Sequence, residues 1–241
     1  MKIAVIVFGV YGDFDTAVKF WKFKDELDCD FYFSTWKKSY KINNVYDHDF
    51  MIDVNSEMVT NFIPNATVSV EDESEFNYKR YGAKEINIGI TQEKIIYHWK
   101  NGIRMIKESG KQYDMIMIMR PDMVYLFNFP ISNLYECNKE KTLYNHTGGI
   151  SNREKGPYIN DTFFIGDFNV VSEFIETFDD KCSEDGNHWD TARHILSLGF
   201  TVEHINDIDA HLLRPNIRFY KNQEITLDIV IDSFKKWMGW E

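Results

Sequence analysis

The run from Lys2 to Gly9 constrains the fold most. It is continuously apolar from Ile3 to Phe8 and stops at a glycine, the pattern of a strand buried on both faces. After the loop Val10-Tyr11-Gly12, apolar residues at Phe14, Ala17, Val18 and Trp21 follow helical spacing. Asp13 or Asp15 is placed to cap that helix. A second strand, Asp30 to Thr35, follows closely. Strand, glycine loop, helix and strand make a βαβ unit, so the first two strands are expected to be parallel.

The alternation continues along the chain. A short helix is expected near Ser56 to Phe62, a strand near Ala66 to Val70, and an exposed acidic loop at Glu71 to Glu75. The longest helix is expected from about Gln92 to Ser109, capped by Thr91 and stopped by Gly110 in the left-handed conformation. Tyr113 to Met119 reads as another buried strand, closed by Arg120-Pro121-Asp122. Further strands are expected at Met123 to Leu126, Thr142 to Asn145, Phe163 to Ile165 and Thr201 to Ile205. Helical spacing marks Val170 to Phe178 and Trp189 to Leu198. The second of these ends at Gly199, with Ile195 and Phe200 placed for the contact that accompanies a Schellman stop. A C-terminal amphipathic helix is expected over about 225–239. The reading is therefore an α/β chain, 1–241 as one Rossmann-like domain, with a mixed, mostly parallel sheet flanked by helices.

Composition narrows the function. The formal net charge is −11, from 27 basic and 38 acidic residues, whereas nucleic-acid binding draws on a basic surplus or a dense basic patch. The longest basic cluster, Lys37-Lys38 with Lys41, reads as solvated surface, so no nucleic-acid partner is expected. The cysteines Cys29, Cys137 and Cys182 are widely spaced and form no CxxC pair, which indicates neither a zinc site nor a disulfide framework. No stretch approaches the roughly 18 apolar residues that cross a bilayer. The first residues read as a strand and not as a signal core, so cytoplasmic placement is expected. The sequons at Asn65, Asn145 and Asn160 matter only in a secreted protein.

Ligands of open α/β sheets bind beyond the carboxyl ends of the strands, and three such positions carry unusual residues. At Gly9-Val10-Tyr11-Gly12 the glycines let the backbone approach a nucleotide and Tyr11 is placed to pack on a base; glycine is also common in such turns for conformational reasons alone. At Arg120-Pro121-Asp122 a buried strand delivers a cation and a carboxylate to one edge. That carboxylate suits Mg²⁺ or Mn²⁺ bridging diphosphate oxygens, and the plain alternative is a structural Arg–Asp pair. At Asn160-Asp161-Thr162, before an apolar run ending in Gly166, Asp161 can act as a general base toward a hydroxyl or simply cap a turn.

Four segments in order resemble the GT-A-type glycosyltransferases of polysaccharide-building gene sets in bacteria and large DNA viruses. Lys2 to Gly9 is similar to that family's "kIAvllsGq", Cys29 to Trp36 to "cDvFxxtW", Tyr113 to Met123 to "YDxvixxRpDl", and Asn160 to Gly166 to "nDxFxiG". The resemblance spans residues 2 to about 205. It implies a GT-A-like domain that moves a sugar from a nucleotide-diphosphate donor to a glycan acceptor. It places the donor under Gly9, Tyr11 and Gly12, with Asp122 as the metal-facing carboxylate and His211 as a late metal ligand. Mn²⁺ or Mg²⁺ is the implied cofactor. Asp161 or Asp190 is the implied acceptor-side base. This chain departs from the pattern in placing Arg120 where relatives carry the first aspartate of Asp-x-Asp, so a fixed cation stands beside the diphosphate position. His188 or Asp190 takes the place of an acidic residue usual at the start of that late helix.

Two alternatives stay open. One is a nucleotidyltransferase on a similar sheet, which calls for a basic triphosphate loop after the first strand, whereas Val10 to Asp15 contains no lysine or arginine. The other is a non-catalytic module that binds a nucleotide-sugar.

Overall fold

A computed structural model describes residues 1–40, 51–73, 88–127, 129–178, 185, 187–206, 208–212, 226 and 228–232. The opening run forms strand β1 (Ile3–Phe8), and every one of its residues is buried. Period-two alternation divides them between two cores. Ile3, Val5 and Val7 join one cluster with Phe14, Trp21 and Phe33, while Ala4, Ile6 and Phe8 join another with Trp99, Ile103 and Phe164. A sheet apolar on both faces must be covered on both, and the helices do this.

On the first face the chain after β1 folds as two single-turn helices, α1 (Phe14–Ala17) and α2 (Phe23–Glu26), separated by the 3-10 turn Val18–Phe20. The longer helix expected from Phe14 to Trp21 is interrupted because Trp21 turns into the core and donates its indole N–H to the Met123 carbonyl at 2.8 Å. Asp13 occupies the cap position of α1 but makes no capping bond with its side chain. Strands β2 (Cys29–Trp36) and β3 (Lys38–Tyr40) follow, then β4 (Met51–Asp53), which pairs with β3. Helix α3 (Ser56–Thr60) is capped by Asn55 Oδ1, which accepts from Met58 N at 3.1 Å. The next strand, β5 (Thr67–Glu71), extends into the segment expected as an acidic loop: Glu71 pairs with Trp36.

Helix α4 (Ile88–Glu108) starts earlier than its spacing suggested, so Thr91 lies inside it rather than capping it. Gly110 stops it at φ 65° as expected. Ile96, Trp99, Ile103 and Ile106 pack onto the second face of the sheet. Gly102 lies closest. A methyl group added there would meet Ile6 Cγ2 at 2.5 Å. Alanine improves helix propensity by up to about 1 kcal/mol, but overpacking costs about 1–3 kcal/mol against a locked neighbour. Gly102→Ala is therefore expected to lower the melting temperature, by roughly 2–6 °C in thermal denaturation.

The remaining elements are β6 (Met115–Met119), β7 (Met123–Phe127), β8 (Thr142–Asn145), β9 (Ser151–Arg153), β10 (Gly156–Tyr158), β11 (Phe163–Asp167), α5 (Phe168–Glu176), α6 (Asn187–Ser197), β12 (Thr201–His204) and β13 (Ile208–Leu212). Asp167 caps α5, its Oδ1 accepting from Asn169 N at 2.8 Å. Helix α6 closes as the sequence suggested: Phe200 N reaches Ile195 O at 3.2 Å and Gly199 N reaches Leu196 O at 3.0 Å, the paired bonds of a Schellman stop. Of the C-terminal helix expected over about 225–239, residues 228–232 are helical and Val230 is buried. The rest lies outside the described residues.

The main sheet has seven strands in the order β5-β2-β1-β6-β11-β8-β12. β5, β2, β1 and β6 are mutually parallel; β11 runs against both β6 and β8; β12 follows β8. The sheet is thus mixed and mostly parallel, flanked by helices, as expected. β7 leaves it after Arg120-Pro121-Asp122 to pair with β13, and β9 pairs with β10. Neither two-stranded pairing was legible as such. Among the described residues no helix is long and apolar enough to cross a membrane.

Candidate functional site

Six strands of the main sheet point one way, so their carboxyl ends gather along one edge. Gly9 leaves β1 there, Arg120 leaves β6, and Asn145-His146 leaves β8. β11 runs the other way, so its beginning arrives at the same edge. Phe163 pairs with Met119, and Asp161-Thr162 is thereby carried toward Arg120. Tyr125 Oη ties the two segments: it accepts from Arg120 N and donates to Thr162 O, both at 3.2 Å. Asn145, fully buried, fixes the incoming chain further. Its Nδ2 donates to Asn160 O and Phe163 O, each at 2.7 Å. Its Oδ1 accepts from Thr147 N at 2.8 Å and Thr147 Oγ1 at 2.7 Å. This sequon asparagine is consumed inside the fold.

At the centre Arg120 grips Asp122 through two parallel bonds, Nε to Oδ1 at 2.9 Å and Nη2 to Oδ2 at 2.8 Å. The Asp122 side chain is 1% exposed and that of Arg120 is 27% exposed, so water reaches part of the arginine side chain and hardly any of the carboxylate. Burial alone would lower the Arg120 pKa, but the charge and hydrogen bonds of Asp122, with the charge of Asp161 behind them, raise it. The guanidinium remains charged. Gly12 sits directly against the pair. At φ 52° it is left-handed, and a Cβ there would meet Asp122 Cβ at 3.2 Å. Its N–H is held by Ser39 Oγ at 2.9 Å. Gly9 also has a positive φ, 105°, so both glycines of the first loop are required by its shape and lie at this edge.

Several sequence expectations are corrected by this geometry. Tyr11 is 1% exposed and packs edge-on against Phe14 in the core; it offers no face to a base. Asp190 is turned along its own helix to Arg193, Nη2 to Oδ1 at 2.5 Å, an ion pair that does not mark it as a base. Asp161 is buried beside His188, with Nδ1 and Oδ1 3.2 Å apart. His211 lies in β13 opposite Val124, and its side chain is outside the described residues. Both Asp122 oxygens are held by Arg120, among the described residues no group of three His, Cys, Asp or Glu side chains is placed to hold an ion, and His211, the other expected ligand, has its side chain outside the described residues. Ser39, Tyr125, Asn145 and His188 are the site residues that sequence reasoning missed or left undecided.

No protein-family model matches the chain, and no curated protein matches it. Solved structures match at the level of fold. A nucleotidyl transferase from Methanothermobacter thermautotroptrophicus is 9% identical with a TM-score of 0.45, over 85% of this chain and 86% of its own. A nucleoside-diphosphate-sugar pyrophosphorylase from Vibrio cholerae RC9 is 9% identical with a TM-score of 0.45, over 97% and 99%. The inositol-1-phosphate CTP transferase from T. maritima is 11% identical with a TM-score of 0.44, over 98% and 96%.

The glycosyl-transfer expectation is corrected. The three structures are described as a nucleotidyl transferase, a nucleoside-diphosphate-sugar pyrophosphorylase and a CTP transferase, and at identities of 9–11% they speak to the fold alone. The site supplies the physical reason, since the carboxylate that was to face the donor's metal faces Arg120 instead. Likeness at these scores concerns the sheet alone, and the functional reading rests on the residues.

Proposed function

We propose that the chain is a nucleotide-dependent transferase that moves a nucleotidyl group, with the nucleotide's phosphates received at Arg120 beside the Gly9–Gly12 loop. The observation that supports it is the placement of one permanently charged fork at the edge where the sheet's parallel strands end, next to a glycine loop. Two donor positions of Arg120 are spent on Asp122; among the described residues Nη1 has no partner. A guanidinium held this way keeps its orientation and loses little entropy when an anion arrives. It supplies from β6 the cation that the loop after β1 lacks. In the reaction an acceptor oxygen attacks the α-phosphorus, and the bond to the β-phosphate breaks as pyrophosphate leaves. Arg120 stabilises charge developing on the phosphate oxygens.

The test is pyrophosphate release from each of the common nucleoside triphosphates, with and without added divalent cation. The expected result is turnover of one or two of them, lowered about 100-fold in Arg120→Ala. UDP- and GDP-sugars are expected to stay intact. Absence of both binding and pyrophosphate release with every triphosphate would overturn the reading. Binding without release would mark a non-catalytic module.

A further inference from the structure

We infer that His188 and Asp161 form a proton-accepting pair, with His188 Nε2 as the acceptor and Asp161 as the residue that positions it, so that the group receiving the nucleotidyl unit is a neutral hydroxyl. The inference rests on the proposed function for its reaction but on separate residues for its geometry.

Asp161 is held from several sides. Asn145 fixes the carbonyls of Asn160 and Phe163, Asn160 Oδ1 accepts from Thr162 N at 3.1 Å, and Thr162 Oγ1 meets His146 Nε2 at 3.0 Å. The Asp161 side chain is 5% exposed, whereas His188 is 31% exposed. Nδ1 of His188 is itself buried and lies 3.2 Å from Asp161 Oδ1. The contact is an ion-pair distance with the ring turned slightly out of hydrogen-bond alignment. The accessible part of the ring is therefore its other edge, where Nε2 carries no bond to the described residues.

Among the described residues, three groups face this imidazole. Asp161 comes from the start of β11, Tyr158 from β10 with ring centroids 5.0 Å apart, and Arg153 from β9 with its guanidinium 3.7 Å over Tyr158. Asp190 on α6 is occupied by Arg193. Burial and the Arg153 charge lower the His188 pKa, and the adjacent Asp161 carboxylate, with the backbone at Ile159, more than offsets them. Asp161 also raises the pKa of Arg120. Asp161 directly precedes Thr162, whose carbonyl Tyr125 ties to Arg120 N, so the segment that holds the imidazole is anchored to the one that holds the guanidinium.

The chemistry follows from that arrangement. In the tautomer that places the proton on Nδ1, beside Asp161 Oδ1, Nε2 carries the lone pair. The acceptor's O–H proton passes to Nε2 as its oxygen bonds to the α-phosphorus, and pyrophosphate departs with the electrons of the broken P–O bond. The imidazolium, paired with Asp161, then releases its proton to solvent. An anionic phosphate acceptor carries no such proton and needs no such pair.

The experiment uses the full chain with the triphosphate that binds. Glycerol and glucose serve as neutral acceptors, and glucose 1-phosphate as an anionic one. Turnover with the neutral acceptors is expected to rise with pH through an apparent pKa above the ordinary histidine value. His188→Gln should lower it about 100-fold or more and remove that limb, while nucleotide affinity stays within about twofold because the phosphates are held by Arg120. Asp161→Asn should move the limb to lower pH. An imidazole NMR titration is the second arm: His188 titrates above the ordinary value in the wild type and falls in Asp161→Asn. Unchanged rate and limb in His188→Gln, turnover confined to the phosphate acceptor, or a His188 titration indifferent to Asp161→Asn would each overturn the pairing. Failure of every triphosphate to bind would sink the proposed function instead, leaving the titration to judge the pair.

Discussion

Asp122→Ala is expected to destabilise the protein by about 2–3 kcal/mol, because removing one partner of a buried ion pair strands the other. Asp122 is 1% exposed and makes two bonds to Arg120. The partial exposure of Arg120 places the cost at or just below the lower end of the range for buried pairs, about 3 kcal/mol, since water can reach the stranded guanidinium. Urea denaturation measures it directly. The double variant Arg120→Met with Asp122→Ala removes both charges and should recover part of the loss. It should bind no nucleotide. Stability and binding therefore move in opposite directions between the single and double variants, which separates the structural work of the pair from its functional work. If Asp122→Ala proved as stable as the wild type, the fork would not be a buried pair, and the site built on it would have no fixed centre.

Acid is expected to destabilise the fold well above the carboxylate range. His98 is 1% exposed, with Nδ1 at 2.7 Å from Ser34 Oγ and, among the described residues, no hydrogen-bond partner at Nε2. Burial, with a contribution from the charge of Lys94, pushes its pKa down to about 3. His146 is pushed down to about 4 by burial and by the charge of His204. Both are neutral in the folded chain, whereas the unfolded chain binds protons near the ordinary value of about 6.5. A depressed folded value gives stability that is complete above the unfolded pKa and is lost as pH falls toward the folded one. The window runs from about pH 6.5 down to about 4 for His146 and to about 3 for His98. Each group contributes up to about 1.4 kcal/mol per pH unit inside its window. Urea midpoints measured from pH 7.5 to 4.5 should therefore fall steeply in the wild type and less steeply in His98→Gln. Parallel slopes would show that His98 is protonated, or exposed, in the native state.

The sheet was legible because it is apolar on both faces. Ile3 to Phe8 and Met115 to Met119 admit no solvent-facing residue, and Gly110 and Gly199 punctuate the helices that cover them. The edge strands were harder. β9 and β10 are three-residue strands of largely polar or turn-prone residues, and β13 declares itself only by pairing with β7. Tyr11 misled because two neighbouring glycines suggest an open loop, whereas Phe14 and Phe33 draw the tyrosine inward. That attraction is tertiary and leaves no trace in local spacing. The Arg120–Asp122 fork is an i, i+2 contact made after the strand ends, so its residues could be picked out while its closure could not. His188 and Asp161 lie 27 positions apart in sequence and meet only because α6 packs against β10. Nothing in either segment alone announces the other.

The central claim is that a nucleotide's phosphates are received at Arg120, and substitution by lysine tests it most directly. Lysine keeps the charge but not the planar fork that holds Asp122 and faces the ligand. Calorimetric titration of the preferred triphosphate should show affinity weakened about 10-fold or more in Arg120→Lys. The His188→Gln variant, titrated in parallel, should bind as the wild type does. Equal affinity in Arg120→Lys, Arg120→Ala and the wild type would contradict the account.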